Sequence, residues 1–223
     1  LYSGDGKKTL IDSDASVDAF TFHTNLYTQY QLSPALDFLN RFRRGTAPIG
    51  IADYTFYNSL SVFAPELNGL WDFTKVPSVR NEDGTVNRSV PGGVSACIIL
   101  QKALHPDEAW EFVKWWTDAP AQVAFGRQLE SIMGTAARYP TANLEAIYQI
   151  PWSTESFQSL LEQWETVEGI PEVPGGYFTP RYIDFAFRDV VLQGKLPGDT
   201  LLNSAKSINN EIYQKRLEFN LEN

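Results

Sequence analysis

Short apolar segments separated by amphipathic helices set the fold class of this chain. Segments 47–53 and 94–100 are apolar and bounded by turn-forming residues, which predicts buried strands. Segments with helical periodicity lie on either side, at 13–30 and from Pro106 onward. Short strands among many helices favour an α/β domain over a helix bundle or a β-sandwich.

The helical segments carry recognisable start and stop signals. Asp12 or Ser13 can cap the first helix, Ser153 can cap a later one, and Gly194 can end another. The helix that begins at Pro106 has apolar residues at helical spacing, which predicts a core-facing stripe made of Ala109, Phe112, Val113 and Trp116. We therefore expect most of the chain to be helical.

Charge and hydropathy argue against two classes of partner. The chain has 27 acidic and 18 basic residues and a formal net charge of −9, which disfavours nucleic-acid binding. Its longest apolar run, near 96–100, is far shorter than the ~20 residues that a membrane-spanning helix needs. The first residues contain no initiator methionine and no signal-peptide pattern, so we interpret them as an internal start within a mature fragment.

Few residues could carry catalysis or bind a metal. His23 and His105 are the only histidines, and neither lies in a metal-binding motif. The single cysteine, Cys97, has apolar neighbours and is predicted to be a buried thiol. The chain also lacks a nucleophile elbow and glycine-rich nucleotide loops. We predict no catalytic residue, metal or cofactor, and binding is favoured over catalysis.

Five segments, taken in order, resemble the extracellular solute-binding proteins of family 1, which include the maltose-binding protein. The resemblance extends from about Leu10 to Ile212. The matching segments are Ser13–Tyr27 in the first helix, Phe42–Ile49, Pro91-Gly92-Gly93, Asp107–Thr117, and Arg188–Gly194.

This resemblance implies a periplasmic-binding-protein-like fold of type II, a two-lobed α/β clamp of which mostly the C-terminal lobe is present. Residues 1–93 and 151–223 would belong to the C-terminal lobe, with the hinge near residue 93. Residues 94–150 would reach toward the N-terminal lobe, most of which this chain lacks.

The function that the resemblance implies is that of a non-enzymatic receptor of an ABC importer. Such a receptor captures an extracellular carbohydrate, here expected to be an oligosaccharide, in the cleft between the lobes and delivers it to a membrane permease. The expected location is the cell surface, as a lipoprotein, or the periplasm. The full-length protein is expected to be a monomer.

The resemblance also places the candidate ligand-binding residues. Segment 53–56 falls where the family has a sugar-stacking tryptophan, and Thr55 occupies the position of that tryptophan. An arginine in the cleft would favour an acidic sugar such as a uronide, because a guanidinium matches a carboxylate. The candidates are Asp53, Tyr54, Phe56, Tyr57, Gly92, Gly93, Tyr177, Arg181 and Tyr182.

Other interpretations of these residues stay open. Tyr54 and Tyr182 are equally typical of packing at a strand end and a helix start. Arg181 is also typical of a surface ion pair. The alternative functions are a glycoside hydrolase-like enzyme, in which two carboxylates act on the sugar, and a sensor module that uses the same clamp.

Overall fold

A computed structural model describes residues 1–80, 83–93, 95–150 and 154–221, and the side chains of 154–156 are not part of that description. The chain divides into two compact units. The first unit comprises residues 1–36 and 170–223, and the second comprises residues 37–169. Val94, which was predicted to begin a strand, and Ser153, which was predicted to cap a helix, lie outside the described residues. The predicted lobe boundaries at residues 93 and 150 stay a prediction.

Helices dominate the described residues. They are α1 (Asp14–Thr28), α2 (Phe38–Arg43), α3 (Phe56–Phe63), α4 (Pro106–Thr117), α5 (Ala119–Met133), α6 (Leu144–Ile147), α7 (Thr154–Trp164), α8 (Thr179–Gln193) and α9 (Pro197–Glu218). The strands are short: β1 (Val79–Arg80), β2 (Val86–Asn87), β3 (Val90–Pro91) and β4 (Val167–Glu168). β1 pairs antiparallel with β2, and β3 pairs parallel with β4, with Val90 opposite Val167.

The first unit is a packed assembly of α1, α8 and α9. Its core consists of apolar side chains at helical spacing: Ile11, Phe20, Ala186, Val190, Leu201, Ala205, Ile208 and Ile212. Ser13 caps α1 by accepting a hydrogen bond from the amide of Ser16, as the sequence predicts. Gly194 ends α8 in the left-handed conformation, which also confirms the prediction.

The second unit contains α2 to α7 and all four strands. A small buried cluster joins α5 and α6 through Ala119, Val123 and Ala146. A nearby ion pair is well shielded, because Arg138 Nη2 lies 3.0 Å from Glu130 Oε1 and little of the Arg138 side chain is exposed. The unit therefore has a core of its own, smaller than that of the first unit.

Two predicted strands are not observed as strands. Segment 47–53 has no regular secondary structure, and Ile49 and Ile51 are exposed. The described part of the other segment, 95–100, is also irregular and exposed, so the prediction that Cys97 is buried is wrong. An apolar run is buried only when other strands or helices cover it. The Phe38 ring of α2 lies against Gly50, but neither segment pairs with a described strand.

Helix α4 begins at Pro106, as predicted, but its apolar stripe is not a buried core face. No residue of α4 is buried, and Phe112 is exposed. Trp116 retains the predicted direction, since its ring lies 5.1 Å from that of Phe125 on α5. Within the described residues, no helix is both long and apolar enough to cross a membrane.

Candidate ligand-binding surfaces

The first candidate surface lies at the start of α3, in the second unit. Tyr54 lies two residues before the helix, and Phe56 and Tyr57 are its first two residues. The Phe56 ring centroid lies 5.4 Å from that of Phe38. The Tyr57 ring lies 5.4 Å from that of Trp71, in a tilted arrangement. We call Tyr54, Phe56, Tyr57, Trp71 and Trp164 the α3 surface.

Tyr54 is partly buried beside Trp164. Its ring meets Trp164 edge to face at 5.7 Å between centroids. Burial, with a further contribution from nearby Tyr139, raises the pKa of Tyr54 to about 12. Asp53 is exposed, and its carbonyl oxygen accepts a hydrogen bond from the amide of Phe56 at 2.9 Å. Asp53 thus starts the helical turn that orients the aromatic residues.

Asn58 stabilises the same helix from the buried side. Its side chain is almost wholly buried, and Nδ2 donates a hydrogen bond to the carbonyl oxygen of Arg138 at 3.3 Å. Its Oδ1 is buried and has no hydrogen-bond partner among the described residues. The Asn58 side chain therefore links α3 to the segment after α5. Its Oδ1 can still accept a hydrogen bond from a water molecule or another donor.

The paired glycines have different surroundings. A Cβ atom at Gly92 would lie 2.3 Å from Val167 Cγ1, and the Gly92 amide donates to the carbonyl oxygen of Glu168 at 3.1 Å. A larger residue at position 92 would therefore clash with the Val167 side chain of β4. At Gly93 no atom lies within 4 Å of such a Cβ. A ligand-binding role for either glycine stays a prediction.

The second candidate surface lies at the start of α8, in the first unit. Tyr177 and Phe178 have ring centroids 4.3 Å apart, and the Arg181 guanidinium carbon lies 5.7 Å from the Phe178 ring centroid. The ring centroids of Phe178 and Tyr182 are 6.4 Å apart. Tyr177 is 60% exposed. We call Tyr177, Phe178, Arg181 and Tyr182 the α8 surface.

Two contacts fix Tyr182 against α9. Its hydroxyl donates to Glu211 Oε1 at 3.2 Å, and its carbonyl oxygen accepts from Ser204 Oγ at 3.2 Å. Burial of the ring, together with the hydrogen bond and the charge of Glu211, raises the pKa of Tyr182. The phenol is therefore held as a neutral donor whose ring edge borders the α8 surface.

The turn before α8 is fixed from the N-terminal segment. The Tyr2 hydroxyl lies 2.8 Å from Thr179 Oγ1 and 3.1 Å from the carbonyl oxygen of Gly176. Gly175 adopts a left-handed conformation with φ of 81°. Rigid support of this kind keeps an exposed aromatic pair in one orientation, which lowers the entropic cost of binding a ligand.

The predicted residues therefore separate by unit. The second unit holds Asp53, Tyr54, Phe56, Tyr57, Gly92 and Gly93, and the first unit holds Tyr177, Arg181 and Tyr182. Within each unit the aromatic candidates lie close together. Their rings pack against one another, and part of each group is also exposed. Sequence reasoning missed Trp71, Trp164 and Phe178 as partners, and the high tryptophan content was the available signal.

The raised pKa of Tyr54 predicts a specific alkaline effect on stability. The unfolded phenol loses its proton near pH 10, whereas the folded one retains it to about 12, so the free energy of unfolding should fall as pH rises through that interval. We expect Tyr54→Phe to remove the part of this fall in the free energy of unfolding that is due to the Tyr54 phenol. Urea denaturation of the unaltered chain and of Tyr54→Phe, at pH 9 and at pH 11.5, measures the free energy of unfolding of each. An equal fall in both proteins between the two pH values would show that the Tyr54 phenol is not shielded.

Within residues 1–80, 83–93, 95–150 and 154–221, no group of three or more His, Cys, Asp or Glu side chains could hold a metal ion. The α3 and α8 surfaces carry aromatic rings, phenol hydroxyls and one guanidinium. These groups suit stacking and hydrogen bonding to a neutral or acidic polar ligand.

The three-dimensional fold resembles that of solved sugar-binding proteins. The sugar-binding protein MalE from the phytopathogen Xanthomonas citri matches all of this chain with a TM-score of 0.75 at 16% sequence identity. An ABC transporter solute-binding protein from Thermotoga lettingae, solved with bound α-D-tagatose, matches 95% of it with a TM-score of 0.63, also at 16% identity. The fold is periplasmic-binding-protein-like.

The likeness covers only part of those structures. This chain spans 55% of the Xanthomonas protein and 53% of the Thermotoga protein, about half the length of each. No family model matches the sequence, and no curated protein sequence matches it. The predicted fold class is confirmed by the structural likeness.

Proposed function

We propose that this chain is part of the solute-binding receptor of an ABC importer, and that the receptor captures an extracellular carbohydrate. The observation that carries the proposal is the fold, which is shared with a sugar-binding protein and with a solute-binding protein solved with α-D-tagatose. The aromatic surfaces on α3 and α8 give the proposal its chemistry.

Sugar rings have apolar faces and a rim of hydroxyls, so a binding surface needs flat rings and polar edges. The α8 surface offers both, since Tyr177 is largely exposed and stacks on Phe178. The α3 surface offers the Tyr54 and Tyr57 rings, each braced by an indole. We propose that both surfaces contact sugar, and that Asp53, Gly92 and Gly93 lie near the ligand as the sequence predicts.

Arg181 favours an acidic ligand. It is exposed, its guanidinium lies over Phe178, and no ion pair to it occurs among the described residues. A guanidinium near an aromatic ring and without an ion-pair partner has N–H groups that can bind a carboxylate. We therefore include a uronide with the neutral oligosaccharides as a proposed ligand class.

The remaining parts of the proposal follow from the receptor role. The receptor acts outside the cytoplasm, as a cell-surface lipoprotein or in the periplasm, and hands its sugar to a membrane permease. It works as a monomer and changes no covalent bond of the sugar. Ligand binding would shift the receptor toward the conformation that the permease recognises.

A thermal-shift screen with sugar analysis tests this function. The full-length gene product is incubated with D-tagatose, maltose, maltotriose and digalacturonate, and the unfolding midpoint is recorded. A ligand at 100 times its Kd stabilises the folded state by about 2.7 kcal/mol, which raises the midpoint. Recovery of the sugar unchanged supports a receptor, and conversion to smaller sugars would replace it with a glycoside hydrolase.

Two tyrosine variants test the two surfaces. We expect Tyr54→Ala and Tyr182→Ala each to weaken sugar binding by about 1–3 kcal/mol, because each removes an aromatic anchor. Isothermal titration calorimetry with the sugar that gives the largest thermal shift measures the loss. Tyr213→Ala is the matched control, since Tyr213 is an exposed tyrosine of α9 outside both surfaces. Unchanged affinity in both test variants would remove the two tyrosines from the site.

A further inference from the structure

A small polar cavity lies between the second half of α8 and the first half of α9, within the first unit. Its volume is about 180 Å³, well below the ~300–1,000 Å³ typical of drug-sized pockets, so any ligand must be small. We call it the α8–α9 cavity. It is lined by residues other than those of the α8 surface, and its polar lining consists of Asp189, Lys195, Thr200, Asn203, Ser204 and Ser207.

The hydroxyl groups of this lining are left as hydrogen-bond acceptors. Thr200 Oγ1 donates to the carbonyl oxygen of Leu196 at 2.7 Å, and Ser204 Oγ donates to that of Tyr182 at 3.2 Å. The Ser207 hydroxyl likewise donates to a carbonyl oxygen of α9. Each hydroxyl hydrogen is therefore engaged, while the oxygen lone pairs can still accept. A ligand that uses these oxygens must bring hydroxyl or amine hydrogens of its own.

The charged residues of the cavity neutralise each other. Lys195 Nζ donates to Asp189 Oδ2 at 2.8 Å. Asp189 Oδ1 accepts no hydrogen bond from the described residues, and the Lys195 ammonium has further N–H groups to donate. A ligand carboxylate would be repelled by Asp189, and a ligand ammonium would compete with Lys195 for the same carboxylate. The pair therefore favours a neutral ligand that both accepts and donates hydrogen bonds.

Asn203 and Phe185 complete the lining with an amide and an aromatic ring. The Asn203 side chain is exposed, and within the described part of the chain it has no hydrogen-bond partner. Its amide can both donate and accept. Phe185 is 52% exposed, and its ring meets Tyr182 edge to face at 6.3 Å between centroids. An exposed aromatic ring beside polar groups suits a molecule with one apolar face and a rim of hydroxyls.

We propose that the α8–α9 cavity is a second ligand site, which binds a neutral monosaccharide in its ring form. The ligand hydroxyls donate to Asp189 Oδ1 and to the hydroxyl oxygens of α9, and the ligand oxygens accept from Lys195 and Asn203. The apolar face of the sugar ring packs on Phe185. The inference does not rest on the proposed receptor function, because the cavity is complete without the residues of the α3 and α8 surfaces.

An NMR titration tests this site. The ¹⁵N-labelled, deuterated full-length gene product is titrated with D-glucose, D-galactose and D-mannose, and the shifts of amides 185–207 are recorded. We expect at least one of these sugars to bind with a Kd on the order of a millimolar, because a small ligand in an open cavity buries few atoms. D-glucuronate, which carries a carboxylate on the same ring, should bind at least about 10-fold more weakly because Asp189 repels it.

Two variants and a matched control assign the binding to the cavity. Asn203→Ala should weaken binding of the neutral sugar by about 10-fold, since it removes hydrogen bonds to the ligand. Asn210→Ala should leave it unchanged, because Asn210 is an exposed asparagine of the same helix outside the cavity. Asp189→Asn removes the negative charge and keeps Lys195, so D-glucuronate should then bind at least as tightly as the neutral sugar. Far-ultraviolet circular dichroism confirms that each variant is folded.

The amide shifts distinguish this inference from the receptor function. Shifts at 185–207 that weaken in Asn203→Ala and persist in Asn210→Ala support the cavity even if no sugar raises the unfolding midpoint. Shifts confined to residues 53–57 and 177–182 would support the receptor surfaces and overturn the cavity. Equal affinities in the unaltered protein and Asn203→Ala, or tighter binding of D-glucuronate than of every neutral sugar to the unaltered protein, would also overturn it.

Discussion

Ile208→Ala is expected to lower the free energy of unfolding of the first unit by about 3 kcal/mol. Ile208 is fully buried, in a core shared by α1, α8 and α9. Truncation removes three buried carbon atoms and leaves a cavity that three packed helices cannot close without moving. Urea denaturation followed by far-ultraviolet circular dichroism measures the loss.

Leu202→Ala is the matched control for that prediction. Leu202 lies on the same helix but is exposed, so its truncation should cost less than about 1 kcal/mol. Helix propensity favours alanine in both variants, so a difference between them reports packing and not helix formation. Equal losses would contradict the assignment of Ile208 to the core, and with it the packing that holds α8 in position.

Local signals explain why the helices could be predicted from the sequence. Ser13 caps α1 and Gly194 ends α8 because both effects depend on backbone groups within a few residues. Pro106 begins α4 for the same reason. In the core of the first unit, one apolar face of each of α1, α8 and α9 meets the others.

The strands could not be predicted in the same way, because strand pairing depends on residues distant in sequence. Segments 47–53 and 95–100 have the composition of buried strands, yet neither finds a partner strand among the described residues. The observed pair of β3 with β4 joins Val90 to Val167, a long-range contact that no local pattern indicates. Cys97 was assigned to the interior for the same reason and is exposed.

The candidate site was predicted at the level of single residues and not of contacts. Tyr54 and Tyr57 were identified by position, but their indole partners were not: Trp71 follows Tyr57 by 14 residues, and Trp164 follows Tyr54 by 110. The Tyr182 contact with Glu211 likewise joins two helices. Each ring contact is a tertiary event, so only the structure shows which aromatic residues brace one another.

Gly175→Ala is expected to destabilise the first unit by about 3 kcal/mol and to displace the turn that carries Tyr177. Gly175 has φ of 81°, where an alanine is strained by about 1–2 kcal/mol. A Cβ atom there would also lie 2.7 Å from the Glu211 carbonyl oxygen and 2.9 Å from the Ile212 Cα atom. Both are backbone atoms of α9, which cannot move away as a flexible side chain can. Urea denaturation measures the stability loss, and ligand titration of the folded fraction measures the effect on binding.

Gly194→Ala separates strain from steric conflict. Gly194 is also left-handed, with φ of 69°, but no atom lies within 4 Å of a Cβ placed there, so we expect a loss of only about 1 kcal/mol. The excess loss at Gly175 then measures how firmly α9 opposes the turn before α8. Equal losses at the two glycines would mean that α9 yields at Glu211, and the α8 surface would then lack the rigid support on which a preorganised sugar-binding role depends.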